Sequence, residues 1–364
     1  MNATQMYAMS LDQCSNVISV GGHLRTVLVQ GDMGTGKSSL LGMLAKEHPK
    51  HIACYFDCTT KDLGDVTIPD LVHMEDGTGF VRYLTNEELG AHNQQPIILM
   101  VDEFGKSNAA VKLALLRLML ERKIGSYTLH PDSLVFATTN KGSEGVGDLL
   151  PPHARNRITL VTTRKPSAEE TIEYGVNNGW NSSVLGFVRE FPHILQSFED
   201  VKNPEDNPYI YHPSAPSSRQ FVTNRSLHAT SDWLNLRLKL DDVSVMAVLI
   251  GTIGERGAMD LMAFVKLADQ LPSWESIKQD PLEAKVPDSA SAVCMVVYSA
   301  LARMSRDSVT PWMDYLPRLS REAQGMFANG VRTAKYTHRS LVMSNPKFTK
   351  WAMENNYMFA ADKK

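Results

Sequence analysis

Apolar residues recur along this chain in two rhythms. Up to about residue 165, short runs rich in β-branched side chains alternate with stretches whose apolar positions repeat at three and four. The runs at 26–30 (TVLVQ), 51–58 (HIACYFDC), 96–103 (PIILMVDE), 133–140 (SLVFATTN) and 157–163 (RITLVTT) predict strands. Strands in regular alternation with helices predict an α/β fold, a parallel sheet flanked by helices. One helix is predicted from Ser107, a good N-cap, to about Arg122, with Val111, Leu115 and Leu118 at core spacing. Another runs from Ser38 to about Glu47 and sends Leu40, Leu41 and Leu44 inward. Between them, Val66 and Ile68 alternate against Phe80 and Val81 around Asp76-Gly77-Thr78-Gly79, which predicts a hairpin.

Past Lys165 the texture changes to helices and loops, so a domain boundary is expected there. A polar, proline-bearing stretch at 200–218 reads as a connection, and from about 231 the pattern is helical, with 291–304 (SAVCMVVYSALARM) the most apolar helix. The expected organisation is an α/β domain at 1–165, then 166–230, then a helical region at 231–364. Of 364 residues, 43% are apolar and 21% charged, with a net charge of −3. Such a chain can bury a large core and lacks the basic balance of a dedicated nucleic-acid binder. Cys14, Cys54, Cys58 and Cys294 lack the paired spacing of a zinc site or disulfide framework, which predicts buried thiols in a reducing, cytoplasmic setting. The first residues carry no positive segment followed by an apolar one, and the longest apolar stretch, 243–254, is too short to span a bilayer. No targeting or membrane role is expected.

The candidate chemistry begins directly after the first strand. Positions 31–40 read GDMGTGKSSL, with three glycines in six residues. Glycine is costly to order, so the stretch implies a demand on backbone geometry. Gly31-x-x-x-x-Gly36-Lys37-Ser38 matches a phosphate-binding loop between a strand and a helix. Gly31, Asp32, Met33, Gly34, Thr35, Gly36, Lys37, Ser38 and Ser39 would then cradle ATP, with Lys37 on the β- and γ-phosphates and Ser38 on Mg²⁺. Asp102 and Glu103 follow a run of apolar residues at the tip of a strand. Asp102 is expected in the outer shell of the metal, and Glu103 as the group that polarises an attacking water. Asn140 ends another strand and could hydrogen-bond that water. Arg155 and Arg157 follow a proline break; residues two apart on a short helix face different ways, so one of them is expected to reach across a subunit boundary. A guanidinium there would accelerate hydrolysis about 10³- to 10⁵-fold.

With Gly31–Ser38, Asp102-Glu103, Asn140, Arg155/Arg157 and then PSSRQF at 216–221 in this order, the chain resembles the AAA+ ATPases. DEFGKSNAAVKLALLRLMLERKIGSYTL, from Asp102, is similar to the MoxR branch, and TTKDLGDVTIPDL with GTGFVRYL is similar to the helix-2 insert of the wider clade, placed at about 62–85. The likeness covers roughly residues 15–230. It implies a P-loop NTPase sheet followed by a helical lid at 166–230. It also implies Walker A at Lys37 and Ser38, Walker B at Asp102 and Glu103, sensor 1 at Asn140, an arginine finger at Arg157 and sensor 2 at Arg219. The family writes Asp-Arg-Phe where this chain has Asn156-Arg157-Ile158, which leaves the finger between Arg157 and Arg155. A hexameric ring and a protein client, in this branch often one with a von Willebrand A domain, follow from the likeness alone. A nucleic-acid motor or loader on the same fold is the alternative. It would call for basic hairpins, yet 120–131 offers only Arg122, Lys123 and His130, and the insert is acidic.

Overall fold

The computed structural model describes residues 7–141, 150, 152–215 and 220–359. It consists of two compact units, Met1–Lys165 and Pro166–Lys364.

The first unit is built on strands β1 (Val27–Gly31), β2 (Ile52–Asp57), β5 (Ile97–Asp102), β8 (Leu134–Asn140) and β9 (Thr159–Thr162). They form one sheet in the order β2-β5-β8-β1-β9, and every neighbouring pair is parallel. All residues of β5 and β8 are buried, as befits central strands covered on both faces. β2 lies at an edge, so Cys54 and Phe56 are buried while Ile52 and Tyr55 are exposed. Alternation sorts the side chains to opposite faces. Val27, Val29, Met100 and Phe136 pack with Ile18, Leu40 and Leu44 of helices Leu11–Gly21 and Ser39–Glu47. Leu28, Leu99, Val101 and Ala137 pack with Val111, Leu115 and Leu118 of helix Ala109–Glu121. Each such leucine contributes about 1.5–3 kcal/mol by leaving water.

Two local expectations shift. The helix expected from Ser107 begins at Ala109, because the Asn108 side chain caps it by accepting from the Val111 N–H at 2.9 Å. Ser107 instead donates its hydroxyl to the Phe104 carbonyl, closing a tight turn. Val66 is not a strand residue. It ends a short helix, Leu63–Val66, fixed by a reciprocal cap between Asp62 and Asp65, and it is fully buried. The hairpin therefore runs as β3 (Thr67–His73) against β4 (Gly79–Thr85), with Ile68 opposite Leu84 and Val72 opposite Phe80. Gly77 turns it with φ +82°. A second, two-residue hairpin pairs β6 (Lys123–Ile124) with β7 (Tyr127–Thr128).

The described part of the second unit is helical. Its principal helices are Ala168–Asn177, Ser182–Glu190, Asn224–Leu236, Asp242–Ala268, Ala290–Arg303, Arg306–Tyr315 and Arg321–Arg332. One apolar core runs through it, from Val176 and Phe187 to Trp312, Phe327 and Trp351, and draws on residues on both sides of position 230. Helix Asp242–Ala268 bends at Gly254, whose φ of +80° is open to glycine at little cost. A Cβ at Gly254 would stand 2.5 Å from the Gln220 carbonyl oxygen. Among the described residues no helix is long and apolar enough to cross a membrane. The four cysteines are free and buried.

Candidate functional site

The parallel strands carry the candidate residues to one edge of the sheet, at the C-terminal ends of β1, β5 and β8. Gly31 closes β1; a Cβ on it would collide with the Thr163 side chain. Gly34 and Gly36 then take φ of +72° and +94°, a region costly to any residue with a Cβ. This turn folds the chain back, so that Lys37 is only 6% exposed and donates to the carbonyls of Gly31 and Asp32, each at 2.9 Å, and to Asn140 Oδ1 at 2.8 Å. Thr35 and Ser39 brace the loop by donating to the Asp32 and Gly36 carbonyls. Met33 is half-buried. Lys141 pairs with Asp32 at 3.5 Å.

Two carboxylates meet this loop. Asp102 Oδ2 accepts from Ser38 Oγ at 3.1 Å and from the Tyr55 hydroxyl at 3.0 Å. Asp102 Oδ1 accepts from Thr138 Oγ1 and from the Glu103 N–H. Glu103 sits in the left-handed region with φ +52°, a conformation that costs a non-glycine residue about 1–2 kcal/mol. That kink carries its side chain off the strand axis to Asn140, whose Nδ2 donates to both Glu103 oxygens at 3.1 and 3.2 Å. Lys106 pairs with Glu103 at 3.4 Å. Asn140 lies opposite Gly31 in the β1–β8 register, so one amide links the loop's ammonium to the carboxylate at the tip of β5. Burial, then the Asp102 charge, raises the Tyr55 pKa, which keeps the phenol protonated and donating. Burial, followed by the charges of Asp57, Asp102 and Glu103, pushes the Cys58 thiol up to about 12.

Lys37, Ser38, Asp102, Glu103 and Asn140 thus stand in one hydrogen-bonded chain. Arg155 and Arg157 are exposed, just before β9; Arg155 Nε donates to the Leu150 carbonyl at 2.9 Å. Arg219 lies outside the described residues. Sequence reasoning missed Tyr55, Thr138 and Lys106. Tyr55 and Thr138 reach Asp102 across neighbouring strands, a relation that only the strand order reveals. Lys106 carried a faint signal, lying three residues from Glu103 and just before the predicted helix.

The oxygen donors Ser38 and Asp102 suit a hard cation such as Mg²⁺. Among the described residues no group of three or more His, Cys, Asp or Glu could hold a metal, so an ion here would complete its shell with phosphate oxygens and water. The glycine turn, where no Cβ intrudes, and the buried ammonium at its base suit a polyphosphate.

Sheet and loop together define an α/β unit of the P-loop NTPase type. No family model matches the sequence, and no curated protein does either. Among solved structures the chain is similar to a mutant of RuvB from Thermotoga maritima, with 17% identity, 75% of this chain and 74% of that one covered, and a TM-score of 0.36. It is also similar to NtrX from Brucella abortus in complex with ADP, with 12% identity, 96% and 68% covered, and a TM-score of 0.38. Likeness of this degree carries no argument about activity, and the fold assignment rests on the strand order and the loop.

Proposed function

We propose that this chain is an AAA+ ATPase of the MoxR-like branch, which binds ATP with Mg²⁺ and hydrolyses it at sites shared between subunits of a hexameric ring. Its output would be the remodelling or activation of a protein partner, with a von Willebrand A domain protein as one candidate, in the cytoplasm. The observation that carries the reading is the continuous link Lys37–Asn140–Glu103 beside the Ser38–Asp102 contact. Binding alone would need Lys37, Ser38 and Asp102. It would not need a carboxylate held at the tip of β5 by a strained backbone.

In this reading Lys37 leaves the Gly31 and Asp32 carbonyls for the phosphates, Ser38 would hold Mg²⁺ directly, and Asp102 would act on the ion through Ser38 and the ion's bound water. The ion, when bound, neutralises charge on the phosphate oxygens. Glu103 accepts a proton from the attacking water while Asn140 keeps the carboxylate and the water in register; a positioned base of this kind is worth about 10²- to 10⁴-fold in rate. Arg157, or Arg155, completes the site of a neighbouring subunit. Residues 166–230, with Arg219 as sensor 2, serve as the lid, and 231–364 as a helical region whose role is not assigned. The nucleic-acid alternative loses one of its few cations: Arg122 turns inward and donates to Thr26 and to the Met119 and Gly22 carbonyls.

The test is complementation between two inactive proteins. Arg157→Ala keeps an intact phosphate loop, and Lys37→Ala keeps an intact finger. If the finger acts in trans, mixing the two restores part of the ATP turnover that each lacks alone. Absence of rescue at every mixing ratio, for Arg157→Ala and for Arg155→Ala alike, overturns the shared site.

A further inference from the structure

The Asp102 carboxylate is held from more directions than a strand-end aspartate requires. An ionised carboxylate has about four acceptor positions, and four donors approach this one: Ser38 and Tyr55 on Oδ2, Thr138 and the Glu103 N–H on Oδ1. Ser38 belongs to the phosphate loop, and the Glu103 N–H is adjacent in sequence. Tyr55 is different. It comes from the edge strand β2, opposite Met100 rather than Asp102 in the register. Its residue surface is 45% exposed, yet its hydroxyl stands 3.0 Å from the oxygen that Ser38 also uses. Burial does not demand a tyrosine at this edge position, because the inward-facing residues of β2 are Cys54 and Phe56.

A serine hydroxyl has one proton and two lone pairs. While that proton is committed to Asp102 Oδ2, both lone pairs remain available to a cation. The commitment holds only if the carboxylate does not rotate away. We propose that Tyr55 is a positioning residue for Mg²⁺: by anchoring Asp102 Oδ2 from the edge strand, it keeps the Ser38 proton on Asp102 and the Ser38 lone pairs turned to the metal. The proposal rests on the nucleotide–Mg²⁺ reading of the site and adds to it a residue outside the phosphate loop and the acidic pair.

The test is Tyr55→Phe, which removes one oxygen and keeps the ring over the strand. A fluorescent ATP analogue is titrated at a series of Mg²⁺ concentrations and, separately, in excess EDTA. Loss of an outer partner of a metal site typically costs 10- to 100-fold in metal affinity, so the Mg²⁺ concentration at half-maximal tight binding is expected to rise about tenfold. The metal-free affinity and the melting temperature are expected to stay at the wild-type values. An unchanged Mg²⁺ dependence overturns the proposal. So does a variant that loses metal-free affinity and stability together, because Tyr55 would then be merely part of the framework. If the wild-type protein itself binds the analogue without regard to Mg²⁺, the reading of the site fails instead, and the two failures are distinct.

Discussion

If Glu103 is the base, as proposed, replacing it by Gln separates that role from the scaffold around it. The side chain keeps its length and one carbonyl oxygen, so Asn140, which donates to both Glu103 oxygens, retains an acceptor. The pair with Lys106 loses its charge, but at 3.4 Å and with side-chain exposures of 41% and 25% it is screened by solvent and contributes less than about 1 kcal/mol. The left-handed backbone at Glu103 is common to both residues and cancels. Stability should therefore fall by less than about 1 kcal/mol, or about 2–4 °C in melting temperature for a unit of this size. Loss of a general base costs about 10²- to 10⁴-fold in turnover, equivalent to about 2.7–5.5 kcal/mol of barrier. The chemical effect exceeds the structural one severalfold. The assay pairs steady-state phosphate release with the Kd for a fluorescent ATP analogue in Mg²⁺, and a large fall in turnover with an unchanged Kd is expected. Turnover within about threefold of wild type, with binding intact, would remove Glu103 from the role of base.

Two further effects follow from local geometry. Gly254→Ala forces an L side chain into φ +80° and sets its Cβ 2.5 Å from the Gln220 carbonyl oxygen; the variant should lose about 2–4 kcal/mol, read as a lower urea midpoint, and an unchanged midpoint would refute the clash. Cys58 carries a thiol raised from its ordinary 9.0 to about 12 by burial and then by Asp57, Asp102 and Glu103. Above pH 9 the unfolded chain releases this proton while the folded chain retains it, so stability is complete below 9 and declines as pH rises towards 12. The slope is at most about 1.4 kcal/mol per pH unit. Urea unfolding between about pH 8 and about pH 11 should show this decline, and Cys58→Ala should flatten it; an identical slope in the variant would remove Cys58 as its source.

The sheet was legible in the sequence because its central strands are covered on both faces, so Ile97–Val101 and Leu134–Ala137 appear as unbroken apolar runs. The phosphate loop was legible because a demand on backbone geometry leaves glycines behind, and Gly34 and Gly36 do adopt positive φ. Boundaries were less so. Ser107 and Asn108 are both good caps, and their competition is decided by whether Ser107 closes the turn on Phe104. Val66 fits an alternating pattern, but the reciprocal cap of Asp62 and Asp65 winds it into a helix. The bend at Gly254 hides inside an apolar stretch, and the Gln220 carbonyl that leaves no room for a Cβ there is distant in sequence. The donors around Asp102 were least legible. Tyr55 and Thr138 reach it from β2 and β8 only because those strands flank β5, and strand order is not written in local pattern.

That strand order also explains why position 140 holds an asparagine. β8 lies between β5 and β1, so its last residue stands between a carboxylate on one side and an ammonium on the other. Asn140 presents Oδ1 to Lys37 and Nδ2 to Glu103, and both contacts match in sign. An aspartate there could accept from Lys37 but would set a second negative charge against Glu103. A serine has a single proton to donate and a shorter reach than the 2.8 Å and 3.1 Å contacts divided between two amide atoms. The amide is a neutral group that can serve a cation and an anion together, so movement of Lys37 towards a phosphate is felt at Glu103 through one rigid side chain. In the proposed reading, the state of the phosphate loop and the orientation of Glu103 are therefore coupled through Asn140.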